Sequence, residues 1–239
     1  MNEDYTPGTL ESQKFQDRKP NYYEGLKRTL SLGYTCEDLL HYFPSFVGHM
    51  TLSRYLCLYE AYKMCTGVAG HIAELGVYKG AGSLLFAKLT QIFEPESLVQ
   101  VHGFDWFQGT APTDEEPNVH EGSYCESKER LLQLVEAQNL KNIVRIHDVD
   151  LTKDLPDFFE KHPHLQFKLI FLDAGLHDVV YQSIQHFWPR LTPGGILILD
   201  QFNHELAPGE TRAVKSLLPD ARIRTFPFGW LPSAYIVKE

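Results

Sequence analysis

The chain has 239 residues, of which 43% are hydrophobic and 22% charged, and its formal net charge is −9. This length suits a single α/β domain, or one domain with an N-terminal extension, and allows a hydrophobic core without disulfides or metal ions. The acidic charge argues against nucleic acid or an anionic membrane as the main partner. No apolar run reaches about 18 residues and no signal peptide opens the chain, so we expect a cytoplasmic protein.

The first part of the chain is predicted to be helical after a frayed start. Residues 1 to about 20 are polar, and a helical region follows from Tyr22 to about Thr66. Within the stretch LSRYLCLYEAYKM, apolar side chains recur near the 3.6-residue period of a helix. These side chains are Leu52, Leu56, Leu58, Tyr59 and Tyr62.

Strands and helices alternate in the rest of the chain. The candidate strands are Ile72–Leu75, Val99–Phe104, Ile143–Ile146, Leu169–Asp173 and Ile196–Asp200. Helical stretches begin near Ala81, Ser127, Lys153, Asp178 and Glu210. Continuous apolar strands separated by helices indicate a doubly wound parallel sheet that is covered on both faces. The final stretch, ARIRTFPFGWLPSAYIVKE, reads as two short strands about a turn and predicts an antiparallel edge.

The cysteines and histidines show no metal-binding spacing. Cys36, Cys57, Cys65 and Cys125 are scattered and form no C-x-x-C pair, so we interpret them as reduced structural thiols. The 11 histidines include no H-E-x-x-H motif and no tight His/Cys cluster.

The segment HIAELGVYKGAGS places an acid and three glycines between a strand and a helix. It is not a P-loop, because no Lys-Ser/Thr pair ends it, and its G-x-x-x-G-x-G spacing differs from the G-x-G-x-x-G of dinucleotide sites. Glu74, immediately before the loop, would be unhelpful to a pyrophosphate at the helix N-terminus. S-adenosylmethionine carries a sulfonium and an ammonium and no phosphate, so the loop favours this methyl donor.

Four acids stand at or just beyond strand ends: Glu74, Asp105, Asp173 and Asp200. Burying an unpaired carboxylate is costly, and ligands of such sheets bind at the carboxyl ends of the strands, so these acids predict a site. Asp105 is expected to accept from both ribose hydroxyls of the donor. Asp150, after the third strand, is expected to accept from the adenine amino group, with Asp148 as the alternative. Trp106 either stacks on adenine or packs in the core.

Several stretches together resemble the macrocin O-methyltransferase family, and within it the enzymes that methylate O-3 of dTDP-6-deoxy-L-hexoses. These are HIAELGVYKGAGS, VHGFDWFQG, PHLQFKLIFLDAGLHD, RLTPGGILILDQFN and APGETRAVKSLL, and the similarity covers roughly residues 45 to 239. The resemblance implies a class I methyltransferase fold with a seven-stranded sheet. It also implies methyl transfer to a sugar hydroxyl and homo-oligomerisation. We accordingly divide the chain into a helical extension packed on the core, residues 1–66, and a donor-binding domain, residues 67–239.

The resemblance and the loop pattern assign a set of donor-binding positions. They are Glu74, Gly76, Tyr78, Gly80, Ser83, Asp105, Trp106 and Asp150. The family also binds a divalent cation, commonly magnesium, through two acids after the fourth strand and two adjacent acids after the fifth. This chain keeps Asp173 and Asp200 but has Gly175, His177 and Gln201 at the departing positions. The metal candidates are therefore Asp173, Asp200 and Gln201, and magnesium binding is expected to be weak or absent.

Three functions from different classes remain open at this point. The first is an S-adenosylmethionine-dependent O-methyltransferase that acts on a deoxysugar of a nucleotide sugar, a natural product or a surface glycan. A base must remove the acceptor's proton, and Asp173 or His177, helped by Asp200, is the candidate. The second is a methyltransferase-like protein that binds the donor without chemistry. The third is an NAD(P)-dependent oxidoreductase, which the loop spacing disfavours.

The acidic stretch TDEEPNVHEGSYCE, residues 113–126, lacks apolar periodicity. It is either a solvated loop or a lid over the acceptor.

Overall fold

The structure, a computed structural model, describes residues 19–239 except 112, 114, 115, 117, 118, 206 and 230. Most of the segment expected to fray lies outside the described residues. Within the described residues, four helices precede the sheet: α1 (Lys19–Ser31), α2 (Cys36–His41), α3 (Phe43–Phe46) and α4 (His49–Met64). Five more follow the first strand: α5 (Ala81–Phe93), α6 (Lys128–Ala137), α7 (Leu155–Lys161), α8 (His177–Phe187) and α9 (Pro208–Leu217).

Seven strands form one sheet. They are β1 (His71–Leu75), β2 (Val101–Asp105), β3 (Val144–Asp148), β4 (Phe167–Leu172), β5 (Leu191–Leu199), β6 (Ile223–Arg224) and β7 (Ala234–Val237). Their spatial order is β3-β2-β1-β4-β5-β7-β6. The first five strands are parallel, β7 runs antiparallel to β5, and β6 runs antiparallel to β7. The predicted doubly wound sheet with an antiparallel C-terminal edge is thus confirmed.

The central strands are buried on both faces, as their continuous apolar sequences predict. Every residue of β4 is buried, including Lys168, whose Nζ lies 2.5 Å and 2.7 Å from the two carboxylate oxygens of Glu94. Separate apolar clusters cover the two faces, one built with α7, α8 and α9 and the other with α4 and α5. The sheet is therefore covered on both faces at the point where strand order reverses, between β1 and β4.

Strand β5 begins earlier than its sequence suggests. Its pairing with β4 is irregular: Leu191 lies opposite Phe167, whereas Ile196 already lies opposite Leu169. The intervening Thr-Pro-Gly-Gly reads as a turn in sequence, which is why the predicted strand started at Ile196.

Helix α4 packs on the sheet through a face that overlaps the predicted apolar positions only in part, since Leu58 and Tyr62 are buried as predicted. Its buried residues are Cys57, Leu58, Ala61 and Tyr62, whereas Leu56 is 45% exposed. The apolar positions of this helix are spread around its axis, so periodicity alone located its buried face poorly. The preceding turn of the helix brings Arg54 to the edge of the sheet where β4 and β5 end.

The four cysteines are free, Cys57 and Cys65 buried and Cys36 and Cys125 exposed. Among the described residues, none of the helices combines the length and the apolar character needed to cross a membrane.

Candidate active site

A cavity of about 1000 Å³ opens at the carboxyl ends of the parallel strands. Among the described residues, its lining includes seven carboxylates and only two basic side chains. The acids are Glu74, Asp105, Glu116, Asp150, Asp173, Asp178 and Asp200, and the basic residues are Arg54 and Lys79. Tyrosines and Trp106 supply much of the remaining wall: Tyr22, Tyr23, Tyr55, Tyr78 and Tyr124. The cavity lies at the topological switch point, where this class of sheet binds ligands.

The glycine loop after β1 depends on left-handed backbone. Gly76, Tyr78 and Gly80 have φ angles of 88°, 50° and 79°, a region that favours glycine. A Cβ at Gly76 would collide with the carbonyl oxygen of Asp173, so a side chain there would separate β1 from the end of β4. Gly80 precedes α5 and lies against Leu131, and it is not among the cavity-lining residues.

Glu74 closes the N-terminus of α5 from beneath the loop. It is 2% exposed, and its Oε2 accepts from the backbone N–H of Ser83 at 2.6 Å and from the Ser83 hydroxyl at 2.5 Å. A Cβ at Gly82 would collide with the Glu74 carboxylate, which explains the third glycine of the loop. Burial raises the pKa of Glu74 to about 8 against the hydrogen bonds from Ser83. The predicted donor acid is therefore also a helix cap, and Ser83 is buried behind the cavity.

Asp105 organises the same loop. Its Oδ2 accepts from the N–H groups of Val77 and Tyr78 at 2.8 Å and 3.0 Å, and its Oδ1 accepts from that of Phe107 at 2.7 Å. A carboxylate has about four acceptor positions, so roughly one remains. In this arrangement the carboxylate has room for about one further donor, fewer than the two that the predicted contact with both ribose hydroxyls requires.

The structure separates the two candidates for the adenine contact. Asp150 lines the cavity, and its Oδ1 accepts from the backbone N–H and the hydroxyl of Thr152 at 2.9 Å and 2.6 Å. Asp148 has a side chain that is 56% exposed, faces Lys128 at 3.4 Å and is not among the cavity-lining residues. Trp106 also lines the cavity, where its indole N–H donates to the carbonyl of Gly109 at 2.6 Å. The geometry favours Asp150 over Asp148.

One arginine joins the acids that follow β4 and β5. Arg54 donates from Nη2 to Asp173 Oδ2 at 2.6 Å and from Nη1 to Asp200 Oδ1 at 2.5 Å. Its guanidinium carbon lies 5.2 Å from the ring centroid of Phe171. Burial by itself would lower the pKa of Arg54, but the two carboxylates outweigh burial and raise that pKa above its ordinary value. Arg54 is therefore a permanent cation between the two acids.

The residues expected to hold a divalent cation do not fit one as they are arranged. Arg54 already engages one oxygen of Asp173 and one of Asp200. The Gln201 amide oxygen fills the space beside Gly175 in which a side chain would otherwise stand. The part of the chain that the structure describes contains no group of three or more His, Cys, Asp or Glu side chains placed to hold a metal ion.

Burial raises the pKa of carboxyl groups in and beside this ion pair. Burial, opposed by the charge of Arg54 and assisted by that of Asp200, raises the pKa of Asp173 to about 7. Glu210 on α9 is fully buried; its Oε1 accepts from the Gln201 N–H at 2.9 Å, and among the described residues its Oε2 has no hydrogen-bond partner. Burial and the charge of Asp200 raise the pKa of Glu210 well above its ordinary value. The carboxyl edge of β4 and β5 thus holds three carboxyl groups, those of Asp173, Asp200 and Glu210, around the single cation of Arg54.

His177 is not placed as a base. It begins α8, its Nδ1 lies 2.9 Å from Asp178 Oδ1, and it is not among the cavity-lining residues. Its backbone N–H instead binds both carboxylate oxygens of Glu116, at 3.0 Å and 3.2 Å. The sequence argument for His177 relied on its position after β4, but the turn into α8 commits this residue to the helix start. Of the two base candidates, only Asp173 is therefore among the described residues that line the cavity.

The described part of the acidic stretch 113–126 borders the cavity. Thr113, Glu116, Val119 and Tyr124 line it, and Glu116 is 4% exposed although it lies in a loop. Residues 114, 115, 117 and 118 lie outside the described residues. The arrangement agrees with the lid interpretation, whereas movement of the loop stays a prediction.

Two residues that the sequence argument missed have the most specific contacts. Arg54 is separated by 119 and 146 positions from its partners, and Glu116 by 61 positions from His177. Neither shows a local signal beyond one polar residue in an apolar helix and one acid among several. The aromatic wall contributed by Tyr22 and Tyr23 of α1 was missed for the same reason.

The strand order, the glycine loop after β1 and the acid-rich cavity at the switch point define a class I methyltransferase fold. Residues 73–202 match the model of the methyltransferase domain family, and the chain belongs to that family.

Individual relatives agree with this assignment. The chain is 27% identical over 148 residues to mycinamicin III 3''-O-methyltransferase of Micromonospora griseorubida, covering 57% of the chain and 56% of the relative. It is 26% identical over 152 residues to 8-demethyl-8-(2,3-dimethoxy-alpha-L-rhamnosyl)-tetracenomycin-C 4'-O-methyltransferase of Streptomyces olivaceus, covering 58% and 55%. The chain thus matches about half the length of these curated relatives.

Solved structures support the fold over a longer span. Two crystal structures of CalS11, described as a calicheamicin methyltransferase and as a TDP-rhamnose 3'-O-methyltransferase, give TM-scores of 0.82 and 0.75 at 23% and 24% identity. Each match covers 91% of this chain and 93% or 94% of the other. The O-methyltransferase NovP gives a TM-score of 0.66 at 16% identity, covering 77% and 79%.

Proposed function

We propose that the chain is an S-adenosylmethionine-dependent O-methyltransferase that acts on a sugar hydroxyl. The observation that carries the proposal is the cavity at the switch point, in which described carboxylates outnumber basic side chains seven to two. Such a lining suits a cationic donor and disfavours the phosphates of a dinucleotide. Membership of the methyltransferase domain family points the same way, so the oxidoreductase alternative is set aside.

The acceptor class follows from the relatives. Their names specify methyl transfer to oxygen atoms of mycinamicin III, of a rhamnosyl tetracenomycin and of TDP-rhamnose. In this chain the aromatic wall of the cavity comes from α1 and α4 through Tyr22, Tyr23 and Tyr55. Aromatic side chains offer flat apolar faces with a polar tip, which suits a sugar ring with mixed surfaces. We therefore assign the acceptor sugar to the part of the cavity lined by Tyr22, Tyr23 and Tyr55, and the methyl donor to the part beside the glycine loop.

Asp173 is the proposed general base. It lines the cavity, its side chain is 28% exposed, and burial raises its pKa to about 7, in the range suited to proton transfer at neutral pH. As the acceptor oxygen attacks the methyl carbon, its proton passes to the Asp173 carboxylate and the carbon–sulfur bond breaks, leaving S-adenosylhomocysteine. Arg54 and the 4% exposed Asp200 side chain hold Asp173 in position.

A donor-binding protein without methyl transfer is the second candidate, and one observation favours it. Arg54 occupies an oxygen of both carboxylates that the reaction would use. If the ion pair never opened toward an acceptor, Asp173 would remain a structural group. The two candidates share the donor site and differ only in turnover.

Two measurements test the proposal. Calorimetric titration with S-adenosylhomocysteine should show binding, whereas NAD should show none. Incubation with S-adenosylmethionine and a panel of deoxysugar nucleotides and deoxysugar glycosides should then produce a methylated product by mass spectrometry. Asp173→Asn should abolish turnover while retaining S-adenosylhomocysteine binding. Donor binding without turnover of any acceptor would favour the second candidate, and absence of donor binding would reject both.

The division at residue 66, homo-oligomerisation, the absence of a nucleic-acid partner and a cytoplasmic location stay predictions. Size-exclusion chromatography with light scattering tests the oligomeric state directly.

A further inference from the structure

The guanidinium of Arg54 lies between Asp173 and Asp200, the acids that directly follow β4 and β5. It makes one short contact to each, 2.6 Å to Asp173 and 2.5 Å to Asp200, using a different terminal nitrogen for each. Phe171, fully buried on β4, lies beneath it with the ring centroid 5.2 Å from the guanidinium carbon. The planar group is therefore held at three points, and its charge is directed at two carboxylates from adjacent strands.

The charges around this position require a cation. Asp173 and Asp200 raise the pKa of Arg54, and the charges of both acids also act on the buried Glu210. Two carboxylates held close together in a buried setting repel each other unless a cation compensates them. Oxygen ligands of this kind, with the amide oxygen of Gln201 beside them, are also those that a hard divalent cation prefers.

We propose that Arg54 is a built-in cation, which takes the place between Asp173 and Asp200 that a divalent metal ion would occupy and makes methyl transfer by this chain independent of metal. The catalytic half of this statement rests on the proposed function. The cation-binding half does not, because it concerns the affinity of the folded protein for a metal.

The chemistry of guanidinium fits this role. It has five N–H donors, and contacts to two carboxylates leave up to three for other acceptors. Arg54 lines the cavity, so the remaining donors can meet an acceptor oxygen as negative charge develops on it. Arg54 gains and loses no proton in this scheme: the proton goes to Asp173, and the methyl group passes from sulfur to oxygen. Arg54 thus acts in two ways: it positions the base, and it faces the acceptor oxygen directly.

Manganese binding provides a test that needs no turnover. Free Mn²⁺ is followed by electron paramagnetic resonance at total concentrations up to about 1 mM, where weak oxygen-ligand sites still bind. We expect no binding at this edge in the wild-type protein. Arg54→Ala removes the internal cation and should bind Mn²⁺ with a dissociation constant at least tenfold below the highest Mn²⁺ concentration at which wild type shows no binding. Arg54→Lys retains a cation and should resemble wild type. Adding Asp173→Asn to Arg54→Ala should remove the gained site.

Several outcomes would overturn the inference. Wild-type protein that binds Mn²⁺ through Asp173, as shown by loss of that binding in Asp173→Asn, would mean that Arg54 yields its place to a metal. A folded Arg54→Ala variant that gains no Mn²⁺ affinity would mean that the arginine is only a structural ion-pair partner. If Arg54→Ala does not fold, as judged by circular dichroism, Arg54→Gln replaces it, and the wild-type measurement remains decisive.

Turnover adds a separate readout once an acceptor is known. Activity that survives EDTA supports the inference, and activity abolished by EDTA and restored by magnesium contradicts it. Absence of turnover with every acceptor would count against the proposed function alone, since the Mn²⁺ result stands without it.

Discussion

Glu74 and Ser83 form a closed hydrogen-bonded pair beneath the glycine loop, in which one carboxylate oxygen receives both the N–H and the O–H of the serine. The pair fixes the first turn of α5 against the end of β1. It also places a carboxyl group with a pKa raised to about 8 in the wall of the cavity. The fold therefore needs Glu74 as a hydrogen-bond acceptor, whereas binding of a cationic ligand would need its negative charge.

The first prediction separates these demands with Glu74→Gln. An acid whose folded-state pKa lies above its unfolded value destabilises the fold as pH rises between the two values. Replacing it by glutamine should therefore leave the unliganded protein as stable at pH 7 or more stable, by on the order of 1–3 kcal/mol. Donor affinity should fall, because a bound cation favours the ionised form of Glu74 and glutamine cannot supply that charge. Thermal melts of Glu74→Gln and Glu74→Ala, with and without S-adenosylhomocysteine, measure both effects. A large drop in the unliganded melting temperature of Glu74→Gln would mean that the cap needs the charge.

Asp105 is predicted to control donor affinity through the loop as well as by contact. Asp105→Ala leaves the N–H groups of Val77, Tyr78 and Phe107 without their acceptor, and the loop loses its anchor. We expect S-adenosylhomocysteine binding to weaken at least tenfold, about 1.4 kcal/mol. Calorimetric titration of the folded variant provides the number. Unchanged affinity would show that the donor contacts neither Asp105 nor the loop that it orders.

Asp150 and Asp148 provide a matched pair for the adenine contact. Asp150→Ala removes a carboxylate from the cavity wall, whereas Asp148→Ala removes an exposed one outside it. We expect weaker S-adenosylhomocysteine binding in the first variant and wild-type binding in the second. The reverse order would assign the adenine contact to Asp148 and place the adenine further toward β3 than we propose.

Glu116 is predicted to hold the acidic loop over the cavity. Its carboxylate accepts from the first N–H of α8, a favourable position for negative charge at a helix N-terminus. Glu116→Ala should therefore lower stability by about 1 kcal/mol, as loss of a helix cap does. It should also raise the KM for the acceptor more than the dissociation constant of the donor. Denaturant titration, steady-state kinetics and limited proteolysis of the loop measure these effects. Equal losses for donor and acceptor would argue that the loop only supports the fold.

A histidine pair on the adjacent strands β2 and β3 predicts loss of stability in mild acid. His102 Nδ1 lies 3.0 Å from His147 Nε2, and burial lowers the pKa of His102 to about 3 and that of His147 to about 4. The charges of His71, Arg145, His162 and Lys128 add to this effect. Because the unfolded histidines bind protons below pH about 6.5, the folded state should lose up to about 1.4 kcal/mol per pH unit for each buried ring as the pH falls.

The measurement is the free energy of unfolding in urea from pH 8 to pH 4.5. His102→Phe should flatten the acid limb, while the control His41→Asn, at an exposed position on α2, should not. If the free energy of unfolding falls equally with decreasing pH in wild type and His102→Phe, other groups cause the loss of stability in acid.

Most of the fold could be predicted from the sequence because it depends on local patterns. Residues 169–172 of β4 form a continuous apolar run, and HIAELGVYKGAGS predicts a strand, a glycine turn and a helix within 13 residues. The errors fell where local cues conflict. The Thr-Pro-Gly-Gly of β5 resembles a turn, so the pattern placed the strand start too late. Helix α4 has apolar residues around its whole axis, so the pattern predicted only part of its buried face, Leu58 and Tyr62.

The sequence by itself determined that acids would line the carboxyl edge of the sheet, since position at a strand end is a property of the pattern. Only the tertiary structure decided what those acids do. Asp105 accepts hydrogen bonds from three backbone N–H groups. Asp173 and Asp200 both bind Arg54, which lies on a helix more than 100 residues earlier in the chain. Such pairings arise when distant elements pack, and the strength of a charge depends on its burial and neighbours, which no short stretch of sequence contains.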